Sequence, residues 1–157
     1  MKNIEMLARE FRKAIDMACE DNRFANMIPF NHFPKDCCRH TCDLLSQYLL
    51  EHDIRTNIVK GVCSKDDQWN HLWLETENGI VIDITGDQFR GRLVTEKEVK
   101  AVHVGGEGTV HKIFCKNREF ERIERFKDKN EYTGFGGAPS VYQQRLVEVY
   151  DILRSYL

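Results

Sequence analysis

Two alternating segments separated by a short turn constrain this chain more than any other feature. They are Trp69-Asn70-His71-Leu72-Trp73-Leu74-Glu75 and Ile80-Val81-Ile82-Asp83-Ile84-Thr85, with Glu77-Asn78-Gly79 between them. Side chains alternate faces along a strand. Leu72 and Leu74 therefore oppose His71, Trp73 and Glu75, and Ile80, Ile82 and Ile84 oppose Val81, Asp83 and Thr85. The turn decides how these sets combine. A two-residue Asn78-Gly79 turn pairs Glu77 with Ile80 and puts Asp83 on the leucine face. A three-residue loop with Gly79 in the left-handed bulge position pairs Thr76 with Ile80. All five aliphatics then share one face, and His71 and Asp83 are diagonal neighbours on the other, polar face. Burying an aliphatic side chain is worth about 1.5–3 kcal/mol, which selects the second register. His71 and Asp83 are thus brought together for a reason unrelated to chemistry.

Upstream, Phe33-Pro34-Lys35-Asp36-Cys37-Cys38-Arg39-His40-Thr41-Cys42 reads as the start of a helix. Pro34 ends what precedes it, and Asp36 is the expected N-cap. From there to about His52-Asp53 the pattern is helical. At about 100° per residue, Cys37, Cys38, Thr41, Cys42, Leu44, Leu45, Tyr48 and Leu49 form one arc. Arg39, His40, Asp43, Ser46, Gln47 and Glu51 form the other. The helix dipole favours the thiolate form of a cysteine in the first turn, where nucleophiles of cysteine enzymes are often placed. Free cysteines are also common core residues, so the helix alone does not establish chemistry. A metal site from Cys37, Cys38, His40 and Cys42 is disfavoured, because His40 lies on the polar arc and no second pair completes a tetrahedral set.

The remaining chain supplies a frame. Asn3 to Asn22 reads as an amphipathic helix with Ile4, Leu7, Ala8, Phe11, Ala14, Ile15 and Ala18 inward and Cys19 packing near its end. Residues 22–35 read as an irregular, apolar-rich approach laid against the body. Thr56 to Cys63 is a strand, and Val99–Val104 and Thr109–Phe114 are two weaker ones. Lys116–Asn130 is a short helix or a solvated loop. Gly134-Phe135-Gly136-Gly137 is a flexible connection with no strand leading into it, so not a phosphate loop. A last helix starts at Pro139 or Ser140 and buries Val141, Tyr142, Leu146, Val149, Ile152 and Leu153.

Cys38 opening a helix, the His71-Leu72-Trp73-Leu74-Glu75 strand and the Asp83-Ile84-Thr85 strand closely resemble the core motifs of the transglutaminase-like superfamily. That family has a Cys-x-x-x-small helix, an H-x-W-x-E strand and a D-x-T strand in this order. The resemblance spans roughly Phe33 to Phe89. It implies an α+β, papain/transglutaminase-like fold, with the nucleophile helix packed on an antiparallel β-sheet and flanking N- and C-terminal helices. It also implies a Cys-His-Asp triad: Cys38 as nucleophile, His71 as base, Asp83 as its orienter. Cys37 remains an alternative nucleophile, and Asn31 and His32 are candidate oxyanion donors beside the Cys38 amide. Where family members commonly carry glycines, before the nucleophile and at the end of its helix, this chain has Asp36 and Asp53. The implied function is a thiol-dependent enzyme acting on amide bonds through a thioester (peptidase, amidase or transglutaminase/deamidase type), without cofactor or metal. The alternatives are a papain-like toxin or effector modifying a protein target, and a non-catalytic binding module on the same fold. The expected partner is a peptide, protein or amide substrate.

Length and charge agree with this class. The 157 residues read as one domain, residues 1–157, large enough to bury a core without staples. A formal net charge of −2 gives no global field for nucleic acid or an anionic membrane surface. No apolar run approaches the roughly 20 residues of a spanning helix. Met1-Lys2-Asn3-Ile4-Glu5 lacks a signal-peptide apolar region, and the six cysteines do not follow a secreted-scaffold spacing, so the expectation is reduced thiols in the cytoplasm.

Overall fold

Asn3 opens the first helix by accepting a hydrogen bond from the Glu5 amide at 2.9 Å, and α1 runs Ile4–Glu20. A computed structural model describes residues 3–94, 99–115, 118–127 and 138–157. Gly134–Gly137 and the ends of the Lys116–Asn130 segment lie outside these residues. After α1 the approach to the second helix contains a single 3-10 turn, Phe30–His32, and its Phe24 and Phe30 rings are buried, as aromatic residues in an irregular segment require. The helix α2 is Cys38–Leu50. Among the described residues five strands follow: β1 Asn57–Val62, β2 Asn70–Glu75, β3 Val81–Asp83, β4 His103–Gly105 and β5 Glu119–Glu121. A short helix α3, Thr109–Phe114, lies between β4 and β5, and α4, Val141–Leu153, closes the chain behind a Ser140 cap. The strands form one antiparallel sheet in the order β4-β3-β2-β1-β5.

The hairpin takes the three-residue loop. Leu74 pairs with Ile82 and Glu75 with Val81, the Thr76 amide donates to Ile80 O at 3.0 Å, and Gly79 has φ +77°, the left-handed value a side chain would resist. Leu72, Leu74, Ile80, Ile82 and Ile84 join a core built with α1, α2 and α4. The cysteine helix α2 thus packs on this face of the sheet beside the flanking helices α1 and α4.

Several expectations fail for identifiable reasons. The face carrying His71 and Asp83 is not a polar surface. It is a second core of Val59, Trp73, Val81, Phe89, Val110 and Phe114, and β2 is covered on both sides. Its cover is α3, which the sequence presented as a strand. Val110, Ile113 and Phe114 fall at i, i+3 and i+4, a helical stripe that outweighs the β-branched composition, and Gly108 stands at the N-cap. A close approach seats α3: a Cβ on Gly61 of β1 would lie 1.8 Å from Phe114 O. Third, Asp36 caps nothing. It has φ +58°, and Cys37 takes the N-cap position without a side-chain cap bond. Fourth, the polar arc of α2 is partly interior. Asp43 accepts from the Glu124 amide at 2.8 Å and from Tyr142 Oη at 2.5 Å, and Ser46 Oγ accepts from Thr56 Oγ1 at 3.2 Å. In the charged run, the short edge strand β5 replaces the expected helix or loop. The weak Val99–Val104 strand shortens to β4.

Arg12 of α1 ties the helix side to the strand ends. Its guanidinium donates to Ile84 O at 2.8 Å, to Ala101 O at 3.1 Å, to both Asp87 oxygens at 2.9–3.0 Å, and to Asp16.

Candidate functional site

Asp83 ends β3 with its carboxylate almost completely buried. Four donors converge on it. Oδ1 accepts from the Thr85 amide at 2.9 Å and from Thr85 Oγ1 at 3.3 Å. Oδ2 accepts from His71 Nε2 at 2.8 Å and from His111 Nε2 at 3.0 Å. An ionised carboxylate offers only lone pairs, so both imidazoles present N–H to it. Burial, the largest single influence, opposes ionisation, but the charge of His71 and the hydrogen bonds of both histidines outweigh it and hold Asp83 well below the usual carboxylate range.

His71 is fully buried. Phe89 meets its ring edge-on at 4.9 Å, with Phe114 at 5.6 Å and Trp73 at 5.8 Å. Burial pulls the imidazolium down. The charge and hydrogen bond of Asp83, helped by the Cys38 side chain, more than reverse this and hold His71 above its ordinary range. With Nε2 committed to Asp83, Nδ1 is buried and makes no regular hydrogen bond.

The two adjacent cysteines have opposite surroundings. Cys37 is completely buried, and its thiol donates toward Pro29 O at 3.3 Å and Lys35 O at 3.2 Å. Burial pushes it up to about 12, so it keeps its proton. Cys42 is likewise driven upward by burial. Cys38 is half-buried and lines an open cleft of about 430 Å³ with Trp69, Asn70, Leu72, Phe89 and Arg92. Arg92 lies over the Trp69 ring at 4.8 Å. As the first residue of α2, Cys38 has a backbone N–H without an intrahelical partner. All six cysteines are free thiols.

Of the residues singled out from sequence, His71 and Asp83 are in direct contact, and Cys38 lines the open cleft and is one of the groups that hold His71 above its ordinary range. Asn31 and His32 do not join them. Both are exposed and contact each other at 3.4 Å, and the residues that line the cleft include Gln68, Asn70 and Gln88 but neither of these two. His40 packs between Phe30 and Tyr142, and burial lowers it to about 4. Among the described residues no cluster of His, Cys, Asp and Glu could hold a metal ion, and no helix is long and apolar enough to cross a membrane.

Sequence reading missed His111. Its signal was the helical spacing of Val110, Ile113 and Phe114 behind Gly108, which puts residue 111 at the third helical position rather than in a strand. No family model, curated protein or solved structure matches this chain.

Proposed function

We propose that this protein is a thiol-dependent enzyme acting on amide bonds, with a papain/transglutaminase-like arrangement in which the first turn of α2 carries the nucleophile and β2 carries its base. Cys38 is the nucleophile, His71 the general base and then acid, and Asp83 the residue that orients the imidazole. The observation that carries this reading is the dry His71–Asp83 pair at 2.8 Å, whose second ring nitrogen is buried without a regular hydrogen bond, together with a half-buried Cys38 whose side chain favours the imidazolium. Cys37, buried and protonated, is set aside as nucleophile.

In the reaction, His71 takes the proton of the Cys38 thiol, the thiolate adds to the amide carbonyl, and the oxyanion meets the unpaired Cys38 N–H. His71 gives its proton to the departing amine as the C–N bond breaks, leaving a thioester on Cys38. Water or an amine then attacks the thioester, His71 takes a proton from it, and the C–S bond breaks to return the thiolate. Water yields an acid and an amine yields a new amide. The sealed aromatic surroundings of His71 keep the proton-transfer pair out of water.

The test is intact-protein and peptide mass spectrometry after incubation with a panel of peptide amides, glutamine peptides and aryl amides. The expected result is an acyl adduct on Cys38, absent in Cys38→Ser and in His71→Ala. Adducts on another cysteine, or equal labelling in His71→Ala, refute the assignment.

A further inference from the structure

We propose that His111 is a positioning residue of this site, holding the Asp83 carboxylate ionised and turned toward His71. The inference rests on the Cys38–His71–Asp83 reading and extends it to a fourth side chain.

The argument starts from the capping of α3. Gly108 is the N-cap, and its backbone N–H donates to His111 Nδ1 at 3.1 Å. In a capping box the side chain at the third helical position accepts from the N-cap amide; here an imidazole does what Glu or Gln usually does. The consequence is chemical. With Nδ1 occupied as an acceptor, the neutral ring must carry its proton on Nε2, and Nε2 stands 3.0 Å from Asp83 Oδ2. Helix capping thereby fixes a tautomer and aims its N–H at the carboxylate.

The ring has little freedom to do otherwise. His111 is 2% exposed, Trp73 meets it edge-on at 5.0 Å, and His103 lies against it at 4.7 Å. Thr85 holds one carboxylate oxygen by two bonds, and His111 holds the other together with His71. Without His111, Oδ2 would retain a single donor in an apolar surround, and the carboxylate torsion that aims it at His71 would rest on Thr85 alone. A buried carboxylate deprived of a donor pays the desolvation of that lone pair, which turns it or protonates it. In either case the imidazole loses its fixed orientation toward Cys38.

The experiment compares wild type, His111→Phe, His111→Gln and His71→Ala. Alkylation by iodoacetamide near neutral pH is followed cysteine by cysteine through peptide mapping, with a thermal melt of each variant. Gln places an amide donor near the position of Nε2, whereas Phe keeps the ring's bulk without a donor. We expect Cys38 labelling to slow by about tenfold in His111→Phe, the scale of one lost hydrogen bond to a charged group, and to recover to within about threefold of wild type in His111→Gln. Equal rates in wild type and His111→Phe, equal slowing in Phe and Gln, or faster labelling in Phe would overturn the proposal. Loss of the triad reading looks different: wild type and His71→Ala would then label Cys38 alike. Should His111→Phe fail to fold, the wild-type protein decides the matter. Nitrogen-15 imidazole spectra should show His111 as the Nε2–H tautomer, and an Nδ1–H tautomer or an imidazolium would overturn it.

Discussion

Replacing Asp83 by Asn changes one oxygen to an amino group and would pass as isosteric at most positions. Here every partner of the carboxylate is a donor: the Thr85 amide and hydroxyl on one side, His71 and His111 on the other. An Asn amide must turn its NH₂ toward one of these two pairs, so each orientation sets donor against donor. His111 cannot relieve the conflict by moving its proton, because Gly108 N–H occupies Nδ1. Removing one partner of a buried charged pair costs about 3–5 kcal/mol. At about 2–4 °C per kcal/mol for a chain of this size, the melt should fall by roughly 6–20 °C. The pH dependence follows from the two shifts. Asp83, held low, contributes fully above the unfolded carboxylate value near about 3.9 and less as pH falls below it. His71, held high, contributes fully below about 6.5 and less as pH rises toward its raised folded value. The gap between wild type and Asp83→Asn should thus be widest between about pH 4 and 6.5 and narrow on both sides. Urea unfolding followed by tryptophan fluorescence measures it. A variant within about 1 kcal/mol of wild type at pH 6 would refute the reasoning, because it would mean that an imidazole offers Asp83 a lone pair rather than a proton.

Gly61→Ala should destabilise by about 1–3 kcal/mol or more, since the new Cβ meets the Phe114 carbonyl and no side chain can yield; a thermal melt checks it, and an unchanged melt would show that α3 is not seated on β1. Asp43 is raised to about 6 chiefly by burial, so the wild-type protein binds that proton more tightly folded than unfolded and loses stability as pH rises from about 4 through 6. Asp43→Asn does not titrate, and its urea midpoint should gain on wild type between pH 5 and pH 8; a constant difference would contradict the shift. Asp36, at φ +58°, should accept Gly without loss, whereas Asp36→Val should cost about 1–2 kcal/mol from left-handed strain, read from the same melts.

What could be read from sequence was what local periodicity and burial jointly determine. The hairpin register followed from where Leu72, Leu74, Ile80, Ile82 and Ile84 must go, and with it the meeting of His71 and Asp83. Asp36 and Asp53 have a left-handed backbone, at φ +58° and +62°, which their residue type did not announce. The burial of His71 was not legible, because its cover comes from Phe89 and Phe114, far along the chain and in segments with weak patterns. The short α3 was ambiguous for a physical reason: over six residues the β-branched Thr109, Val110 and Ile113 favour a strand, while the spacing of Val110, Ile113 and Phe114 fits a helix. β5 was hidden by composition, since an edge strand with Phe120 largely exposed gives no apolar signature.

The Arg12 guanidinium grips the chain at Ile84 O, between the Asp83 carboxylate and the Thr85 amide that steadies it. It also spans to Ala101 and Asp87, and its charge lies 4.8 Å from the Phe33 ring at the entry to the cysteine helix. Local opening of a protein proceeds in cooperative units set by such ties. Fraying α1 as far as Arg12 must therefore release the turn after Asp83, so the first helix and the His71–Asp83 pair belong to one unit of opening despite their separation in sequence. Amide exchange in α1 around Arg12 and at Thr85 should then report a common free energy, and a perturbation at the N-terminal helix would be felt as a loss of order at the carboxylate.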